Sequence, residues 1–171
     1  VTGSRTEASF VEVYGRGSIM ADATLRRRNL NVQGLAALDL RTVKKDGTPW
    51  NFSNKKDRRE AERPIDELNP TWIVGSPPCP AFSQWNVCMN HPKMDPAVVK
   101  RQVAEGEVHL KFVARLYRRQ YQRGKYFFHE HPANATSWNE PCVLDVLKHQ
   151  ELRESWLTSA KSARRQRMAG L

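Results

Sequence analysis

Four β-prone residues, 71–74, run straight into Gly75-Ser76-Pro77-Pro78-Cys79-Pro80. Proline fixes φ and carries no backbone N–H, so three prolines in four positions neither continue a strand nor enter a helix interior. The chain must leave its sheet here in a stiff loop. Cys79 is therefore presented from a fixed position rather than from a mobile turn.

The same alternation of strand, turn and helix recurs along the chain. Residues 10–14 read as a first strand ending at Gly15-Arg16-Gly17, with Ser18 at a helix N-cap and Ile19, Met20, Ala23 and Leu25 at helical spacing after it. Residues 35–40 read as a second strand carrying Asp39 at its end, followed by Asp46-Gly47-Thr48-Pro49, which is turn chemistry. The charge-dense stretch 54–69 predicts a solvated helix, interrupted or restarted at Pro64. Asp95-Pro96 opens a long helix to about Gln122, closed by Gly124. A fourth strand over 125–129 and a helix over 137–149 complete the pattern. Such alternation predicts an α/β fold, a mostly parallel sheet with flanking helices and ligands at the C-terminal ends of its strands.

The 171 residues suit one domain with a real core. Twenty-eight Lys and Arg against eighteen Asp and Glu leave a net charge of +10, which favours a polyanionic partner, nucleic acid above all. Much of the basic charge lies in runs, including 115–123 and 161–167. Three cysteines, at 79, 88 and 142, make a poor disulfide framework and point to a reducing compartment. No apolar run is long enough to span a bilayer and no signal-peptide pattern opens the chain, so no membrane role is expected. A start at Val rather than Met fits a piece of a longer polypeptide.

Three candidate sites fall directly after predicted strands: the Gly15 turn, the Cys79 loop and Glu130. In a parallel sheet these converge on one edge. A lone cysteine is more often inert and buried than reactive, but the flanking prolines and the position after a strand favour a nucleophile here. Asp39 is placed to accept hydrogen bonds from a ribose, or equally to cap its own turn.

Gly75-Ser76-Pro77-Pro78-Cys79-Pro80-Ala81-Phe82-Ser83 resembles the Pro-Pro-Cys loop of the cytosine-5 DNA methyltransferases, including the Phe-Ser that commonly follows the cysteine. The resemblance implies a Rossmann-like fold dependent on S-adenosylmethionine. It assigns Cys79 as the nucleophile that adds to C6 of a flipped-out cytosine, Pro77 to the cofactor side of the loop and Ser83 to the nucleic acid. Phe128-His129-Glu130-His131-Pro132 stands where the family carries Glu-Asn-Val, and Glu130 alone is carried over, to support protonation at N3. Glu12-Val13-Tyr14-Gly15-Arg16-Gly17 is similar to the family's first motif, in which Glu12, Tyr14, Gly15 and Gly17 would hold the methionine part of the cofactor. Asn51 stands in for the acidic residue near the adenine, with Trp50 or Phe52 stacking on the base.

The chain contains no Gln-x-Arg-x-Arg strand, target-recognition region or closing C-terminal motif, and Arg164-Arg165-Gln166-Arg167 has the composition without the spacing. The resemblance thus covers residues 10–150, between an N-terminal extension (1–9) and a basic tail (151–171). DNA is the expected partner, RNA remaining open, with Arg118, Arg119, Arg164 and Arg165 as phosphate contacts. An intracellular location follows, nucleus or nucleoid if DNA is the substrate.

Other chemistries draw on the same residues. Cys79, Cys88, His91, His129 and His131 are potential metal ligands, but their spacing fits no standard zinc pattern and no metal is expected. A binding module without chemistry would explain the missing arginine motif but needs neither Cys79 nor Glu130. A Cys-His hydrolase, pairing Cys79 with His129 or His131, would leave the Pro-Pro-Cys-x-x-Phe-Ser sequence unexplained.

Overall fold

The computed structural model describes residues 8–15, 17 and 32–149. The predicted N-cap at Ser18, the helix after it, Arg164, Arg165 and the basic tail lie outside these residues. Four strands, β1 (Ala8–Val13), β2 (Val32–Leu38), β3 (Trp72–Gly75) and β4 (Tyr126–His129), form an all-parallel sheet in the order β2-β1-β3-β4. Helices α1 (Lys55–Leu68), α2 (Pro96–Gln122) and α3 (Pro141–His149) complete the α/β fold. Among the described residues no helix is long and apolar enough to cross a membrane.

Burial explains this arrangement. Val11, Val13, Ile73 and Phe127 point from the strands to one face, where they meet Ala61 and Ile65 of α1, Phe112, Val113, Leu116 and Tyr117 of α2, and Val146 of α3 in one core. Period-two alternation leaves the other side chains of β3 and β4 on the opposite face.

Several sequence expectations shift. The second strand starts at Val32, where it pairs with Ala8, and ends at Leu38, so Leu40 is exposed in the following turn. Helix α1 runs unbroken through Pro64, with Asn54 as its N-cap. The carbonyl that Pro64 leaves unbonded belongs to residue 60, which is exposed to water, while buried Ala61 and Ile65 hold the turns on either side in line. Helix α2 is capped by the Asp95 side chain, which accepts from Ala97 N at 2.7 Å. The last predicted helix divides into a 3-10 turn, Thr136–Asn139, and α3, because Glu140 precedes a proline and takes an extended conformation (φ −67°, ψ 134°).

The basic run at the end of α2 is met by acidic side chains. Arg115 and Arg119 pair with Glu62, Arg119 and Arg123 with Asp66, and Arg118 with Asp145. Helix α2 ends where β4 begins, so these arginines sit towards the N-terminal edge of the sheet. Cys79 follows the C-terminal end of β3. Arg118 and Arg119, expected as phosphate contacts, are therefore joined to carboxylates at the other end of the sheet from the cysteine loop.

Candidate active site

Strand order reverses between β1 and β3, and a crevice opens there beyond the strands' carboxyl ends, where α/β sheets bind ligands. Ladder hydrogen bonds continue past the last strand residues: Ser76 N donates to Val13 O at 3.0 Å and Glu130 N to Gly75 O at 2.9 Å. The three loops are thus tied together at their roots. A cavity of about 400 Å³ lies among them, lined by Tyr14, Asp39, Pro77, Cys79, Glu130 and His131, with Arg41 beside them.

Prolines cannot donate, so the Cys79 loop is held through its carbonyls. His131 Nε2 donates to Pro77 O at 3.0 Å, while His131 Nδ1 accepts from the Ser137 hydroxyl. Cys79 O accepts from Phe82 N and Ser83 N, and Asn86 Nδ2 donates to Pro80 O at 2.6 Å. None of these bonds uses the Cys79 thiol, a free and half-buried group. With both ring nitrogens of His131 committed to the protein, this histidine buttresses the loop and is available neither as a metal ligand nor as a base for Cys79. Among the described residues no group of three His, Cys, Asp or Glu side chains is placed to hold a metal ion.

The Gly15 turn folds over Glu12, which is 2% exposed. Glu12 Oε2 accepts from Gly17 N at 3.0 Å, Gly17 has φ +74°, and a Cβ on Gly15 would stand 2.2 Å from that same oxygen. Glu12 Oε1 is buried with no hydrogen-bond partner among the described residues. Tyr14 takes the left-handed conformation (φ 64°) and is buried, its hydroxyl donating to His109 Nδ1 at 2.7 Å. Burial raises the Tyr14 pKa and, as the largest effect, lowers that of His109, so the pair is neutral. Asp39 Oδ1 caps its own turn by accepting from Arg41 N at 2.9 Å, and the residue also lines the cavity.

Asn51 lines neither this cavity nor its neighbour. Its Oδ1 accepts from Ser53 N, and its backbone N donates to Asp57. Trp50 and Phe52 are not available to a base, because they are buried in the core and stack on each other at 5.5 Å. Ser83 is half-buried and accepts from Asn86 N, holding the turn that follows the loop.

A second cavity, of about 640 Å³, shares Leu40, Pro78 and Pro80 with the first and is lined further by Gln102, Glu105 and His109 of α2. Sequence reasoning overlooked this wall. The available signal was Gly106, a glycine inside a helix: a Cβ there would stand 2.7 Å from the Phe82 ring, so α2 approaches the cysteine loop closely.

His129 lies behind the loop. Tyr117 donates to its Nδ1 at 3.0 Å, its Nε2 is buried without a partner among the described residues, and the His131 ring is 5.3 Å away. Burial, with His131 as a lesser cause, lowers its pKa to about 4. Below pH 6.5 the unfolded chain takes up a proton that the folded His129 refuses, so stability falls as pH drops from about 6.5 to about 4 and levels off below. The loss from this residue is about 3 kcal/mol at most. His109 and His131, both lowered mainly by burial, add to it in the same direction. Denaturant midpoints at pH 7 and pH 4.5 should therefore differ, and His129→Gln should narrow the gap; an unchanged gap refutes the assignment.

Comparison with protein-family models, curated proteins and solved structures found no match to this chain.

Proposed function

We propose that the chain transfers a methyl group from S-adenosylmethionine to C5 of cytosine in DNA through a covalent adduct at Cys79, on a Rossmann-like methyltransferase fold. The observation that carries this reading is that Cys79 and Glu130, from loops after different strands, line one cavity at the point where strand order reverses. A base inside a duplex does not reach a thiol recessed in such a cavity, so the target is unstacked into it. The Cys79 thiolate adds to C6, and the electron pair of the C5–C6 double bond moves toward C5. Glu130, at the exposed rim, is covered when a base enters and, as the carboxylic acid, gives a proton to N3 that neutralises the charge building on the ring and returns to Glu130 when the ring is restored. When bound, S-adenosylmethionine supplies an electrophilic methyl group to C5. Loss of the C5 proton to a base and expulsion of the Cys79 thiolate restore the aromatic ring.

The residues present fit the cofactor. A buried carboxylate with one unpartnered oxygen beneath a glycine turn suits an α-ammonium group, and Glu12 offers that. Glu12 lies beneath the turn and lines neither cavity; Tyr14 and Asp39 line the Cys79 cavity, and the second cavity, sharing a wall with it, gives room for cofactor and base side by side. The binding-only alternative would rest on the basic helix and tail; in α2, Arg118 and Arg119 are paired with carboxylates, while the tail lies outside the described residues.

The test uses labelled S-adenosylmethionine with DNA containing 5-fluorocytosine. Fluorine at C5 cannot leave as a proton does, so the adduct should persist on a denaturing gel and vanish without Cys79. Cofactor binding without any adduct refutes the mechanism, and a matching RNA substrate shows which polymer is used.

A further inference from the structure

Among the described residues, the face of β3 and β4 turned away from α1, α2 and α3 is aromatic and exposed. Trp72 is 38% exposed, Tyr126 54% and Phe128 56%. Trp72 and Tyr126, in register on neighbouring strands, stack at 4.7 Å, and Phe128 stands beside Val74. Strand β4 is an edge of the described sheet, and Tyr126, Phe128 and Glu130 alternate along it, about 7 Å apart. The strip therefore leads from the beginning of β4 to the rim of the Cys79 cavity.

Its ends are cationic. Arg41 lines the cavity beside Glu130, and Lys125 precedes Tyr126. Unlike Arg115, Arg118 and Arg119 of α2, Lys125 bonds the carbonyl and side-chain oxygens of Asn69, with no carboxylate partner among the described residues. A second copy of the chain is a poor occupant, because two bodies of net charge +10 repel each other. A flexible polyanion with flat, stackable groups answers both the charge and the rings.

We propose that this strip binds single-stranded nucleic acid, its bases stacking on Phe128 and the Trp72–Tyr126 pair and its backbone running between Lys125 and the Arg41 side of the cavity. Aromatic rings exposed on a sheet accept any base, because every base has a π-face. The direction of the strand rests on reading the cavity as a base pocket; binding itself does not.

A fluorescent twelve-nucleotide oligothymidine contains no cytosine, so its anisotropy with the full chain reports binding apart from chemistry at Cys79. Phe128→Ala and Tyr126→Ala should each weaken binding about tenfold, the effect of losing one stacked base. Phe128→Leu, which keeps an apolar side chain but removes the ring, should weaken it similarly. A duplex of equal length should be indifferent to all three substitutions. Affinities within twofold of the parent overturn the proposal. So does a dimer in sedimentation that Phe128→Ala dissociates, since the strip is then an interface between copies. A failed adduct assay with intact oligothymidine binding would remove the chemistry and leave this surface.

Discussion

Cys79→Ser should reduce methyl transfer at least about a thousandfold while leaving affinity for cofactor and DNA within twofold. The expectation follows from how the residue is held. Every hydrogen bond that positions the loop at Cys79 uses its carbonyl oxygen, which accepts from Phe82 N and Ser83 N, so exchanging sulfur for oxygen disturbs none of them. What changes is the nucleophile: at neutral pH a serine hydroxyl gives far less alkoxide than a cysteine thiol gives thiolate. His131, the imidazole that lines the same cavity, is committed at both nitrogens to Pro77 O and Ser137. Losses of this size are usual when a group that forms the covalent bond is removed. Radiolabel incorporation and anisotropy on one preparation check both halves, and unchanged turnover would sink the mechanism. Glu130→Gln should act in the same direction but less, since an amide still hydrogen-bonds the ring.

Much of the site was legible because it sits on backbone punctuation. Glycines and prolines after strands mark where a chain must leave a sheet, and that rule alone placed Tyr14, Cys79 and Glu130 at one edge. Asp95-Pro96 announced α2 for the same kind of reason, a cap followed by a residue that cannot donate. Contacts between distant segments were not legible. Tyr14 meets His109 across ninety-five residues, a pairing no local pattern encodes. The basic run 115–123 reads in sequence as a charged surface, yet Glu62 and Asp66, four residues apart on α1, pair with Arg115, Arg119 and Arg123. Trp50 and Phe52 were expected to stack on the adenine because the resemblance puts a cofactor motif around Asn51; no local pattern shows that both rings pack into the core instead. Pro64 shows the opposite error, a local breaker overruled by two buried neighbours.

Gly75→Ala should destabilise the fold by about 2–3 kcal/mol, lowering Tm by roughly 5–10 °C. A Cβ on Gly75 would stand 1.9 Å from the Tyr117 hydroxyl oxygen, and neither side can yield easily. Tyr117 is stacked on Phe127 at 4.4 Å and donates to His129 Nδ1 at 3.0 Å, while β3 is fixed on both flanks by β1 and β4. Tyr117→Phe removes the closest atom, leaving the ring Cζ as the nearest at 2.9 Å, at the cost of one hydrogen bond. The double variant should therefore be more stable than the two single losses predict, by about 1 kcal/mol, and calorimetry on the four proteins measures that coupling. Simple additivity would mean that the strain lies elsewhere. Activity should fall further than stability accounts for, because Gly75 O receives Glu130 N and the next residue begins the loop to Cys79. A shift of β3 at this residue changes the distance between thiol and carboxyl, and that distance is what the proposed chemistry depends on.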